Sequence, residues 1–319
     1  MSKKQKRFAD DGWAVWIDGD DTSTIYFHDW MNPKGESYID VSVKIVGVKE
    51  TNSLSLYVPF KVRLEEIEDI SLGFEDERIA RATFSSGCMI DFMKNEYTTE
   101  IAYNGKTVDI IHVSKLTPVV KDMSNGTLIT VNYDHIQESI DNNEGYFSFR
   151  LPHRSIDKVF NTYKSAGSFF TRLRDLITTP IQSEKYGYSI RVNEPRNLPP
   201  EINKTGAFHR QKLKKALVSV SVSEEYEIND ANCFQIHRLE QDLYRDFVPH
   251  KFSLDDVITY QWKESTKEKG IRGKFSFYLN IKREAVSVAS MIVYMILLVI
   301  MGGFGNFFAD FVHWLVSKI

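Results

Sequence analysis

Apolar and polar positions alternate in short runs along the first 140 residues: WAVWI (13–17), STIYFH (23–28), SYIDVSVKIVGV (37–48), SLSLYVPFKV (53–62), KTVDIIHV (106–113) and TLITVNY (127–133). A period of two sends successive side chains to opposite faces, the pattern of half-buried strands. Clusters of turn-forming residues separate the runs, among them DGDD (18–21), which reads as a hairpin turn. The spacing predicts a sandwich or a strongly bent sheet.

After another alternating run, GYFSFRLPH (145–153), apolar residues recur at helical spacing in SIDKVFNTYKSAGSFFTRLRDLI (155–177). Strand-like runs then return at 186–192, 214–223, 231–239, 256–262 and 273–281, and PRNLPPEINKTG (195–206) reads as a flexible arm. The expected fold is mainly β (α+β): a sandwich-like domain over 1–140, then a second β-rich domain over 141–281 with a helical insertion and a basic surface. A membrane segment follows over 282–319.

The tail breaks the pattern. Ala285 to Ala309 is a run of 25 residues without a formal charge, enough for a spanning helix of about 20 residues. VYMILLVIM is apolar on every face, unlike a helix at the edge of a soluble core. Gly302, Gly303 and Gly305 predict a break, so the expected span is about 285–301, with a hinge at 302–305 and a short amphipathic helix over 306–317. On that helix Asn306, Asp310, His313 and Ser317 fall at i, i+4, i+7 and i+11, one polar stripe. Two readings stay open. The short helix lies in the far interface with its stripe among headgroups, or several copies assemble and the stripe lines an aqueous path, with Asp310 favouring cations and His313 gating.

Charge changes the picture in the middle of the chain. The net charge is −3, yet Gly145–Lys215 holds fourteen Lys/Arg against five Asp/Glu, so this stretch carries +9 and the remainder −12. Arg150, Arg154 and Lys158 follow aromatic Tyr146, Phe147 and Phe149; Arg172 and Arg174 lie on the predicted helix; His209, Arg210, Lys212, Lys214 and Lys215 form a second cluster. Cations interleaved with aromatic rings suit a single-stranded nucleic acid or a nucleotide, the cations tracking phosphates and the rings stacking on bases. A basic face toward anionic lipid and a merely solvated surface are the alternatives.

Candidate chemistry is sparse. Cys88 and Cys233 have no CxxC or His-rich neighbours, which predicts free thiols and no metal site. GxSxG, P-loop, HExxH and kinase signatures are absent. His28 beside Asp29, and His237 near Glu240, are the nearest things to acid–base pairs, and no enzyme or cofactor is expected from them. The N-terminus has basic residues but no apolar run behind them, so no signal peptide is read there. Lys282 and Arg283 before the span keep the soluble part cytoplasmic.

The layout of β-rich part, basic middle and terminal FSFYLNIKREAVSVASMIVYMILLVIMGGFGNFFADF (275–311) resembles bacterial antiphage membrane effectors of the Hailong type. That resemblance implies a homo-oligomeric ion channel in the inner membrane, with a tetramer as one subunit count. It further implies a channel held closed by single-stranded DNA oligomers from a nucleotidyltransferase-like partner, whose loss during infection depolarises the cell. It assigns no individual residue. The function expected is a ligand-controlled, pore-forming membrane effector; the alternatives are a membrane-tethered scaffold that recruits a protein and a membrane-bound hydrolase.

Overall fold

The computed structural model describes residues 8–19, 22–84, 89–91, 95–161, 181–228, 233–250, 252–265, 274–286 and 288–318. The strands, in chain order, begin with β1 (Phe8–Ile17), β2 (Thr22–Trp30), β3 (Tyr38–Val46), β4 (Ser53–Val58), β5 (Glu68–Asp69) and β6 (Met89–Asp91). Next come β7 (Thr98–Tyr103), β8 (Lys106–Ile111), β9 (Val119–Met123), β10 (Gly126–Asn132), β11 (Glu144–Pro152) and β12 (Ile181–Val192). The last are β13 (Lys212–Ser223), β14 (Tyr226–Ile228), β15 (Gln235–Arg238), β16 (Val257–Ser265) and β17 (Phe275–Val286). The helices are α1 (Glu77–Thr83), α2 (Arg154–Asn161), α3 (Pro200–Thr205), α4 (Gln241–Tyr244) and α5 (Val288–Val316).

The strands form two sheets. One has seven strands in the order β14-β17-β12-β1-β4-β10-β9; the other has ten, β15-β16-β13-β2-β3-β11-β8-β7-β6, with β5 paired to β11. Both sheets draw strands from either side of residue 140. β1 runs parallel to β12 with Trp13 opposite Val192, and β2 runs parallel to β13 with Phe27 opposite Val218. A single apolar core lies between them, from Trp13, Val15, Leu54 and Ile129 on one sheet to Phe27, Val41, Phe149 and Val220 on the other.

The strands on either side of DGDD (18–21) do not pair as a hairpin, since β1 pairs with β4 and β12, and β2 with β3 and β13; Asp20 and Asp21 themselves lie outside the described residues. Local turn chemistry bends the chain but does not choose its next neighbour. The expected flexible arm at 195–206 is likewise ordered. Pro195–Asn197 forms a 3-10 turn and α3 begins with Pro200 at its first position. Leu198, Ile202 and Phe208 then pack on Ala14 and Tyr57 as a small second core. Gly12 makes this possible, because a Cβ there would sit 2.1 Å from the Asn197 carbonyl oxygen.

One polar cluster is sealed inside. His153, just beyond β11, places Nδ1 2.8 Å from Asp29 Oδ1 on β2, and Nε2 3.2 Å from both Asp11 Oδ2 on β1 and the Tyr188 hydroxyl on β12. His153, Asp29 and Tyr188 are fully buried and Asp11 nearly so. Burial alone would pull the imidazole down, but the Asp29 charge and the hydrogen bonds to Asp11 and Asp29 outweigh it and push His153 up to about 10. Both sheets therefore close on an imidazolium. Replacing it with an apolar side chain strands two buried carboxylates, which costs about 3–5 kcal/mol when a buried pair is broken.

A stability test follows from the sign of that shift. The folded state keeps a proton that the unfolded chain releases from its ordinary value of 6.5 upward, so this contribution is complete below 6.5 and is lost as pH rises toward about 10. Chemical unfolding of the full-length protein in detergent at pH 6, 8 and 10 should show stability falling with pH. His153→Leu should be less stable at pH 6 and lose most of that slope; an unchanged slope would remove the charged clasp from the account.

Candidate functional site at the strand-to-helix junction

The tail grows directly from the sheet. β17 pairs with β12 over twelve residues, from Val192 opposite Phe275 to Ile181 opposite Val286. Its other edge carries β14, where Tyr226 lies opposite Arg283. Arg283 places Nη2 3.0 Å from Glu225 Oε2 and its guanidinium 5.3 Å from the Tyr226 ring centroid, so the last turns of the ladder are pinned by side chains as well as backbone. Only Ser287 separates β17 from α5.

α5 corrects the expectation for the tail. The helix is continuous for 29 residues through Gly302, Gly303 and Gly305, about 44 Å at 1.5 Å per residue. Glycine weakens a helix by about 1 kcal/mol relative to alanine, yet unlike proline it keeps its amide donor, so apolar helix on both sides carries the run through. The hinge at 302–305 and a separate short helix over 306–317 are therefore not found. By length and composition the candidate span is Tyr294–Trp314, 21 residues. Asn306, Asp310 and His313 fall inside that span rather than beyond it, and Ser317 lies just past it.

Around the helix axis, Gly302, Asn306, Asp310, His313 and Ser317 occupy an arc of about 80° at 3.6 residues per turn, with Phe304, Phe308 and Phe311 on the opposite side. Every described side chain of α5 is exposed. Among its described residues the helix packs on neither sheet. Ionisable groups in a membrane span are costly unless they meet water or a partner.

The basic residues expected to bind ligand are scattered by the fold. Arg150 is 2% exposed and spent internally: Nε is 2.6 Å from Asp40 Oδ1, Nη2 is 2.9 Å from Asp40 Oδ2, and Nη2 donates to the Phe247 carbonyl at 2.7 Å. Arg154 bonds the Lys61 carbonyl and Glu66. Burial would raise Glu66, but its bonds to Arg154 and Arg63 pull it down to about 2. His209, Lys212 and Lys214 are exposed, with the His209 ring 4.2 Å from that of Phe208. Lys215 is half-buried, its Nζ 5.9 Å from the Tyr26 ring centroid. Lys158 belongs to α2 and Arg210 ends a 3-10 turn, and their side chains lie outside the description, as do Arg172 and Arg174 altogether.

His28 and Asp29 do not form an acid–base pair. His28 and Asp29 are successive strand residues and point to opposite faces: Asp29 into the core cluster, His28 outward, where its Nε2 meets Ser221 Oγ at 2.8 Å. Sequence reasoning missed the buried Asp11–His153–Asp29 contact because its members come from three strands that are neighbours only in space.

The fold and its tail define a class: a mainly β protein of two sheets with one C-terminal helix long and apolar enough to cross a membrane. No family model and no curated protein matches the sequence. Among solved structures, the Fcho1 Mu homology domain of Danio rerio with bound Eps15 peptide is similar at 7% identity over 86% of this chain and 79% of that chain, with a TM-score of 0.10. At that score the likeness carries nothing about fold or partner.

Arg150 and the surface lysines should behave oppositely. Arg150→Met leaves Asp40 buried without its cation and should destabilise the protein by about 3–5 kcal/mol. Lys212→Ala and Lys214→Ala should stay within about 0.5 kcal/mol of the parent, as exposed substitutions do. Denaturant unfolding of the three variants checks the assignment, and a neutral Arg150→Met would return Arg150 to the ligand-binding candidates.

Proposed function

We propose that this chain is a ligand-controlled membrane effector that assembles as a homo-oligomer and conducts ions across the bacterial inner membrane. The observation that carries the reading is the placement of Asn306, Asp310 and His313 on one face of α5, inside its apolar stretch. A lone helix would present Asp310 to hydrocarbon. Several copies with that face inward give the carboxylates water and one another, and a ring of carboxylates favours cations. Gly302 on the same face lets neighbouring backbones approach, as small residues do in membrane helix packing.

Lys282 and Arg283 at the base of the helix favour a cytoplasmic location for the sheets. Control would act through β17, whose ladder ends one residue from the helix. In this reading a nucleotide or a single-stranded DNA oligomer, supplied by a nucleotidyltransferase-like partner, sets the state of the sheets, and its loss during phage infection opens the path. Lys212, exposed at the start of β13, could meet such an anion.

A second reading has its own observation. β15 is an edge strand among the described residues, and Phe234 just before it and Ile236 within it are 53% and 60% exposed, a surface that an extended peptide of a partner protein could extend by strand addition. The chain would then be a tethered scaffold and α5 only its anchor.

Membrane potential separates the two. In bacteria expressing the full chain, with and without phage challenge and the neighbouring genes, a voltage-sensitive dye should report depolarisation that Asp310→Ala reduces sharply. Exchanging residues 288–318 for an unrelated membrane anchor should abolish it. Function preserved after that exchange would establish the scaffold and end the channel reading.

A further inference from the structure

The outer face of the ten-stranded sheet holds a cavity of about 260 Å³. Cross-strand register builds its floor in rows. Ser148, Ser42, Tyr26, Leu217 and Lys263 lie opposite one another across β11, β3, β2, β13 and β16; the next row runs Arg150, Asp40, His28, Ser219 and Gln261. Phe74, Tyr244 and Phe247 line it from the segments packed above the sheet.

Its interior is neutral but rich in hydrogen-bonding groups. The one carboxylate in the lining, Asp40, is consumed by Arg150 and by Trp30, whose Nε1 donates to Oδ2 at 2.7 Å. Ser42 and Ser148 share a 2.6 Å hydrogen bond on the floor. His28, stacked on Trp30 with centroids 4.0 Å apart, is driven down to about 4 chiefly by burial, so it is a neutral ring with a donor and an acceptor. Among the described residues His237 Nδ1 is buried without a partner. Such an orphaned polar atom in a cavity wall is a group that a ligand would satisfy.

Lysines stand beside one end of the cavity, next to its lining residues rather than among them, with Lys215 Nζ 5.9 Å from the ring centroid of Tyr26. In the row beyond Tyr26, Lys44 and Lys215 both lie opposite Thr24, while Lys263, opposite Leu217, sits on β16 at the end of the Tyr26 row itself. Lys44 is answered by Glu144 at 2.5 Å. Among the described residues Lys215 and Lys263 face no carboxylate within ion-pair distance, and burial, then Lys263 and Lys44, lower the Lys215 pKa. An anion placed there would relieve that repulsion.

We infer that this cavity is a binding site for a small ligand with a flat, uncharged, hydrogen-bonding ring and one anionic end, of the nucleoside monophosphate class. The ring would lie between the Ser/His floor and the Phe74 and Phe247 side chains, and the phosphate would meet Lys215 and Lys263. The volume sits just below the range of about 300–1,000 Å³ that holds drug-sized molecules, so it admits a single nucleotide and not an oligomer. The inference gives the ligand control proposed above a location, but it is measured on binding alone and stands or falls apart from ion conduction.

Isothermal titration of the full-length protein in detergent tests it, with AMP, GMP, CMP and UMP, the four matching nucleosides and inorganic phosphate as probes. One monophosphate should bind with Kd below about 1 mM and its nucleoside about tenfold more weakly. Lys215→Met should erase that difference while leaving nucleoside binding intact, and Ser219→Phe, which fills the floor, should abolish both. If Ser219→Phe misfolds, Lys215→Met alone decides. Saturation by none of the nine probes, or monophosphate binding equal in Lys215→Met and the parent, would overturn the site. Depolarisation without nucleotide binding would leave the channel reading standing and remove this one.

Discussion

An imidazolium held between two carboxylates is the point on which both sheets close. Asp11 and Tyr188 come from the seven-stranded sheet, and Asp29 and His153 from the ten-stranded one, so the cluster crosses the layer that apolar side chains otherwise fill. Apolar packing is nondirectional and tolerates sliding between sheets. A buried charge with two fixed partners does not, because any shift leaves a carboxylate unpaired at a cost of several kcal/mol. The parallel pairs β1–β12 and β2–β13, each joining strands far apart in sequence, are thereby held in one register.

From that fixed core the geometry runs outward in two directions. β12 lies between β1, which bears Asp11, and β17, which leads into α5, so the path from clasp to membrane helix is three adjacent strands. On the other sheet β2 carries Asp29 inward and His28 outward, so one strand contributes to both the clasp and the outer cavity. The polar cavity and the helix base are thus attached to opposite sheets of one rigid unit. A ligand that reorders the cavity floor would reach α5 only through the core, which makes the interlayer contact central to any control of the tail.

Much of the strand pattern was legible because alternation is a local property. The runs at 13–17, 23–28, 37–48, 145–153 and 214–223 all fall on strands. What alternation does not encode is partner choice, so strands 160 or more residues apart, such as β1 and β12, looked like members of separate halves. The basic middle was legible as charge and misleading as surface: Arg150 sits on a strand face that meets Asp40, and its charge is spent inside. Leu198 and Ile202 hid in a stretch rich in proline, where loop composition concealed two anchors. The glycines of the tail overstated a break that the flanking helix overrides. The cavity was unreadable, since its lining takes one to three residues from each of six strands.

The account rests most heavily on the polar face of α5 being shared between copies. Disulfide trapping in native membranes tests that face directly, in a background where Cys88 and Cys233 are serine. Cysteine at Asn306 or His313 should cross-link copies of the chain under mild oxidation, while cysteine at Phe304 or Phe311, on the opposite side of the helix, should remain monomeric. Cross-linking through the phenylalanine face, or through neither, would contradict an oligomer built around Asp310.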